Sequence, residues 1–143
     1  MLDAYRDLID ELLGTPSDIR AIVVAAPSGD EPVAIKRLIA ELRDRDRAVL
    51  DRAQTVTRQE NPYLPSLRLA PVADDLALTP LLEEMETARG DLVSLLINLS
   101  LKDWARSAIH ETGGEITLAD EIEQHVEWDE AQRLRLRQLL PGA

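Results

Sequence analysis

The chain has 143 residues, enough to bury one core without disulfide or metal staples, and its 45% hydrophobic and 30% charged content suits a folded single domain over residues 1–143. Its 27 acidic and 16 basic residues give a net charge of -11, which repels nucleic-acid phosphates and anionic membranes and excludes both as expected partners. With no cysteine, disulfides, a cysteine nucleophile and thiolate metal ligands are excluded. The segment from Met1 to Asp7 is acidic and lacks the apolar stretch of a signal peptide, and no apolar run reaches membrane-spanning length, so a cytoplasmic location is expected.

Leu2, Tyr5, Ile9, Leu12 and Leu13 recur at the steps of three and four that mark an amphipathic helix, which Gly14 is expected to end. Thr15, Pro16 and Asp18 then read as the start of a second short helix reaching about Ala26, although the β-branched run Ile22 to Val24 also suits a strand. A lone strand would have no partner, which favours helix. Pro27 to Pro32 is a break. From Val33 the pattern Ile35, Leu38, Ile39 and Leu42 opens a long helix to about Arg58. Its middle, Arg43 to Arg47, alternates charge and reads as a solvated face with ion pairs at spacings of three and four, although Asp46 could turn inward.

Gln59 to Pro71 holds too many prolines for a helix and reads as a long crossover pinned over one end of a bundle. Thr79 and Pro80 are expected to cap the next helix, whose apolar stripe is Leu92, Leu95, Leu96 and Leu99. A short helix from Ser100 to Arg106 carries Trp104, and a turn through Gly113 and Gly114 follows His110. Thr117 with Asp120 three residues on forms a capping box for a last helix reaching about Leu140. Arg133, Arg135 and Arg137 in that helix are spread around its circumference and read as solvated, not as a nucleic-acid face. Only helices and turns are expected: an all-α, antiparallel four-helix bundle with one long proline-containing crossover between the second and third main helices.

Several elements then occur in a telling order: Pro62-Tyr63-Leu64-Pro65, Trp104 with Arg106, His110, Gly113 and Gly114, Thr117 and Leu118, and the last helix with Trp128, Asp129 and Gln132. From about Val33 to Leu140 this order resembles the DinB-like helical bundles. The resemblance implies a bundle fold and an interior divalent-metal site made by three histidines, one from the second helix and two, four residues apart, from the last. Residues four apart share a helix face, which is why two imidazoles so placed can hold one ion. Here Glu41 stands at the first histidine position, Trp128 and Gln132 at the other two, and Val33 replaces a tryptophan. Tryptophan offers only an N–H donor and an amide is a poor ligand for zinc or nickel, so a degenerate site with no metal cofactor is expected.

Glu41, Trp128 and Gln132 therefore mark the candidate pocket, with Trp128 filling it and its indole N–H bonding Glu41 or Gln132. His110, His125, Asp129, Trp104 and Arg106 are candidate pocket neighbours. A non-standard ligand set of Glu41, His125 and Asp129 is the alternative, and would take zinc or nickel. His110 reads as a loop fastener, or as a proton shuttle. Trp104 reads as core, and Arg106 as the partner of a carboxylate or an anionic substrate. No phosphate-binding loop, dinucleotide fingerprint or serine elbow is present, and Asp74 with Asp75 is too generic in so acidic a chain to mark a glycosidase. Two function classes remain. One is a small-ligand-binding or interaction protein of unknown activity, with a homodimer implied by the resemblance. The other is a divalent-metal-dependent enzyme similar to the family's thiol S-transferases.

Overall fold

The structure, a computed structural model, describes residues 3–25, 33–71 and 77–139. Four long helices, α1 (Asp3–Ala25), α2 (Val33–Arg58), α3 (Leu78–Ile97) and α5 (Leu118–Leu139), carry most of the chain. The short helix α4 (Leu101–Trp104) and the strands β1 (Tyr63–Leu64), β2 (Ser107–His110) and β3 (Gly114–Thr117) lie between them in sequence. The long second helix has the limits its hydrophobic stripe predicts. The break from Pro27 to Pro32 lies outside the described residues.

The apolar stripes of the long helices build two buried clusters. One contains Ile9 and Leu12 of α1, Val49 to Val56 of α2, Leu92 to Leu96 of α3, and Leu118 and Ile122 of α5. The other contains Ile19, Ile35 to Leu42, Leu81 to Met85, and Leu136. Helices α2 and α3 meet the clusters in one order and α1 and α5 in the reverse order, so α2 runs parallel to α3 and antiparallel to α5. Two consecutive parallel helices require a connection that returns along the bundle. That is the task of the crossover.

The crossover is held by a sheet that the helices-and-turns reading missed. The strands stand in the order β1-β2-β3. β1 pairs parallel to β2, and β2 antiparallel to β3 with Ser107 opposite Thr117. Pro62 O accepts from Ile109 N–H at 2.8 Å and Leu64 O from Glu111 N–H at 3.0 Å, while Arg52 Nη1 donates to Pro65 O. The turn after His110 closes as a hairpin with Gly114 at φ 67, a conformation glycine adopts without steric cost.

Two helix boundaries also differ from expectation. The first two predicted helices are one: α1 runs through Gly14 and Pro16, because Ile9, Leu12, Thr15 and Ile19 form one continuous buried stripe. Pro16 has no N–H for the Leu12 carbonyl, and that carbonyl instead accepts from Arg89 Nη1 of α3 at 2.8 Å. Thr15 is therefore not a cap. α3 starts at Leu78, with Ala77 as an N-cap that makes no side-chain bond, so Thr79 and Pro80 lie inside the first turn, where a missing N–H costs little.

The capping box of α5 is present as read. Thr117 Oγ1 accepts from Asp120 N–H at 3.1 Å and Asp120 Oδ2 accepts from Thr117 N–H at 2.9 Å. Because Thr117 also ends β3, the cap joins sheet to helix. Thr117→Ala is expected to lower stability by about 1 kcal/mol, read as a lower urea midpoint with an unchanged m-value. Glu111 pins the crossover beside it, Oε2 accepting from Ser66 N–H at 3.1 Å. Hydrogen bonding from the Ser66 side chain, and then from this amide, holds the exposed Glu111 carboxyl below its usual value. Its stabilising effect is present above the unfolded carboxyl's pKa and is lost as pH falls through the lower, folded one. The Ser66 amide resonance is expected to titrate in that acid range, and to stop doing so in Glu111→Gln.

Candidate functional site

Between the two apolar clusters lies a polar layer to which every long helix contributes. Thr15 comes from α1, Asp46 from α2, Arg89 from α3, and His125 and Asp129 from α5, all essentially out of solvent. Each sits at a core position of its helix: Asp46 lies between Leu42 and Val49, and Arg89 between Met85 and Leu92. The helical spacing that buries those leucines therefore carries the charged residues inward with them.

Arg89 is the hub. Its Nε donates to Asp46 Oδ1 and Oδ2 at 3.1 and 3.0 Å, and its Nη1 and Nη2 donate to Asp129 Oδ2 and Oδ1 at 3.1 and 2.7 Å. Thr15 Oγ1 donates to Asp129 Oδ2 at 2.5 Å. Burial disfavours the Arg89 charge, but the hydrogen bonds and the charges of Asp129 and Asp46 outweigh it and raise its pKa above the usual arginine value. The guanidinium thus stays charged in the core.

The histidine is equally committed. His125 Nε2 meets Asp46 Oδ1 at 2.8 Å, and Arg45 Nε donates to His125 Nδ1 at 3.1 Å. Nδ1 must supply the lone pair and Nε2 the proton, so the ring is neutral with a defined tautomer. Arg45 lies 4.6 Å above the Trp128 ring, and Trp128 stacks beside His125 with centroids 6.0 Å apart. Burial lowers the Arg45 pKa, with Glu121 opposing and Arg52 reinforcing the shift. Further along the same helix pair, Arg52 Nε lies 2.6 Å from Glu121 Oε1, both side chains nearly buried. Arg52 and Arg89 are the buried cations and Asp46, Glu121 and Asp129 the buried anions of the described residues, with the half-buried Arg45 beside them.

The structure separates the residues singled out in the sequence. His125 and Asp129 belong to the polar layer, where their carboxylate companion is Asp46, whereas Glu41 is 37% exposed and reaches Arg135 at 3.9 Å. Trp128 is half-buried under Arg45, and among the described residues its indole N–H bonds neither Glu41 nor Gln132. Gln132 carries a buried Oε1 with no hydrogen-bond partner. Trp104 is core, stacked on Tyr5 at 4.5 Å. Arg106 pairs with backbone, not with a carboxylate: its Nε donates to Val56 O at 2.8 Å and its Nη2 to Gln59 O at 3.2 Å, closing the carbonyl end of α2. His110 Nδ1 accepts from the N–H groups of Thr112 and Gly113, both at 3.1 Å, and fastens the hairpin turn. Asp46 takes the inward alternative that the sequence offered it, whereas Thr15 and Arg89 are the members of the layer that sequence reading did not place inside. The signal for them was a polar residue falling on an apolar stripe.

This arrangement is a DinB-like four-helix bundle. The fold is similar to that of YfiT from Bacillus subtilis, described as a probable metal-dependent hydrolase with an unusual four-helix bundle topology, at a TM-score of 0.75 and 18% sequence identity over 97% of this chain and 87% of that one. At that identity the likeness concerns the fold. No family model matches the sequence, and no curated protein matches it.

A metal ion of the kind named for YfiT needs free lone pairs, and the polar layer has few to offer. Both carboxylates accept from Arg89, neither ring nitrogen of His125 has a lone pair to spare, and the guanidinium would stand directly against a divalent charge. Among the described residues no group of three histidine, aspartate or glutamate side chains is placed to hold a metal ion. The donor set does not fit one. Arg89→Met, which leaves Asp46 and Asp129 buried without a cation and Leu12 O without a donor, is expected to destabilise the protein by about 3–5 kcal/mol in urea unfolding. Arg89→Lys is expected to recover only part of this loss, since one ammonium cannot span both carboxylates as the planar guanidinium does.

Proposed function

We propose that this chain uses a DinB-like bundle for binding or interaction and not for metal-dependent chemistry. The single observation that carries the reading is Arg89, whose guanidinium supplies from within the chain the positive charge that Asp46 and Asp129 require. His125, the histidine of the layer, is engaged through both ring nitrogens, which favours a structural role for it. A polar layer of this kind ties four helices together and leaves recognition to the surface. The alternative, a metal-dependent thiol S-transferase-like enzyme using Glu41, His125 and Asp129, would have to draw Glu41 away from Arg135 and free a His125 lone pair from Arg45.

Elemental analysis of protein purified without chelator, followed by calorimetric titration with zinc, nickel and manganese, distinguishes the two. The expected result is no stoichiometric metal and no rise in melting temperature. Stoichiometric metal that is lost on His125→Ala would overturn the proposal and favour the enzyme. Glu41, Trp128 and Gln132 remain the proposed pocket positions; in the same titration the combined Glu41→His, Trp128→His and Gln132→His variant is expected to gain metal binding.

A further inference from the structure

The end of α2 and the start of β2 are fastened side by side, and the fastening leaves hydrogen-bond donors over. Arg106 Nε and Nη2 donate to the carbonyls of Val56 and Gln59, so both hydrogens of Nη1 remain without an acceptor. Ser107 Oγ donates to Asn61 Oδ1 at 2.7 Å, which sets the orientation of the amide and leaves its Nδ2 to point elsewhere. Lys102 of α4 joins Arg106 and Asn61 in the wall of one concavity of about 530 Å³ that opens to solvent. Among the described residues neither Lys102 nor Arg106 is in an ion pair, and no acceptor meets Asn61 Nδ2. In a chain with 27 acidic residues against 16 basic ones, two cations without a carboxylate partner share one hollow.

We infer that this hollow binds the phosphate group of a small phosphorylated molecule, with Lys102 Nζ, Arg106 Nη1 and Asn61 Nδ2 as the donors. Their distribution selects phosphate over carboxylate. A carboxylate is held best by two parallel N–H groups of one guanidinium, and the Nε–Nη2 edge of Arg106 is already committed to the carbonyls of α2. The remaining donors stand on three side chains from three segments, an arrangement that suits oxygens pointing in three directions. A hollow of this size also exceeds what the phosphate group alone fills, which leaves room for an organic remainder.

Three local charges decide whether an anion is tolerated here. The carbonyl end of α2 would repel one, but Arg106 covers two of its carbonyls. Glu60 also lines the hollow, and its carboxylate opposes the ligand and limits the affinity. The net charge of -11 is spread over the whole surface, and at an ionic strength of about 0.1 M it is screened beyond about 10 Å, while contacts within the hollow persist. With all three donors near solvent, a dissociation constant of about 1 mM for inorganic phosphate is expected. The buried polar layer takes no part, so the hollow stands or falls independently of the metal question.

Titration of the isotope-labelled full chain with inorganic phosphate at constant ionic strength, followed by nuclear magnetic resonance, tests it. Saturable shifts are expected at the Asn61 side-chain amide and at the backbone amides of Lys102 and Ser107, with acetate in a parallel titration binding about tenfold more weakly or less. Asn61→Asp keeps an acceptor for Ser107 and tolerates the left-handed backbone at φ 44, but sets an anion where the donor was. It and Lys102→Met are each expected to weaken phosphate binding by about tenfold or more, and Glu60→Gln to strengthen it. All three positions are exposed, so circular dichroism and melting temperature should match the wild type. Shifts that stay linear in phosphate, acetate bound as tightly as phosphate, or an affinity indifferent to Asn61→Asp and Lys102→Met would each overturn the inference.

Discussion

Everything in this bundle is arranged around one guanidinium. Arg89 reaches from α3 to a carboxylate on α2, a carboxylate on α5 and a backbone carbonyl on α1, so one side chain touches all the other long helices. Burying a charge is costly, and an ion pair in the core is tolerable only when its geometry is good and its remaining valences are filled. Here the planar fork meets two carboxylates, Thr15 and His125 take further carboxylate lone pairs, and Arg45 closes the outer side of the histidine. Slipping any one helix by a turn would leave a charge among leucines. The polar layer thereby ties the four long helices to one another between the two apolar clusters.

The same hub explains how a proline comes to lie inside a continuous helix. Pro16 leaves the Leu12 carbonyl without its usual donor, an orphan that would ordinarily bend or end α1. Arg89 Nη1 fills the gap from the neighbouring helix. The local rule of a break at glycine and proline is overruled by a contact to a residue 77 positions away in sequence.

Fold and chemistry are separable in this architecture. The likeness to YfiT spans nearly the whole chain at 18% identity, so it concerns the fold and not the side-chain chemistry. What an interior can do depends on which lone pairs are free. In this chain the imidazole and the carboxylates of the polar layer are each occupied by an arginine, and the layer behaves as a buried ion network.

Much of the fold was legible because it depends on local periodicity and capping. The limits of α2, the capping box of α5 at Thr117 and Asp120, the short helix with Trp104 and the long crossover all follow from residues within a few positions of one another. The sheet was not, since two residues at Tyr63 and Leu64 become a strand only by meeting Ile109 and His110, a pairing no local pattern announces. The candidate site was legible only in part: His125 and Asp129 were noticed through their spacing, Asp46 was read on a solvated face with the option of turning inward, which it takes, and Arg89 was not singled out. Sequence alone determined that four amphipathic helices with a proline-rich return would form a bundle, because hydrophobic spacing is local. Only the tertiary structure decided that a charged residue on each stripe would be buried, because a carboxylate and a guanidinium are tolerated in a core only when folding brings them together.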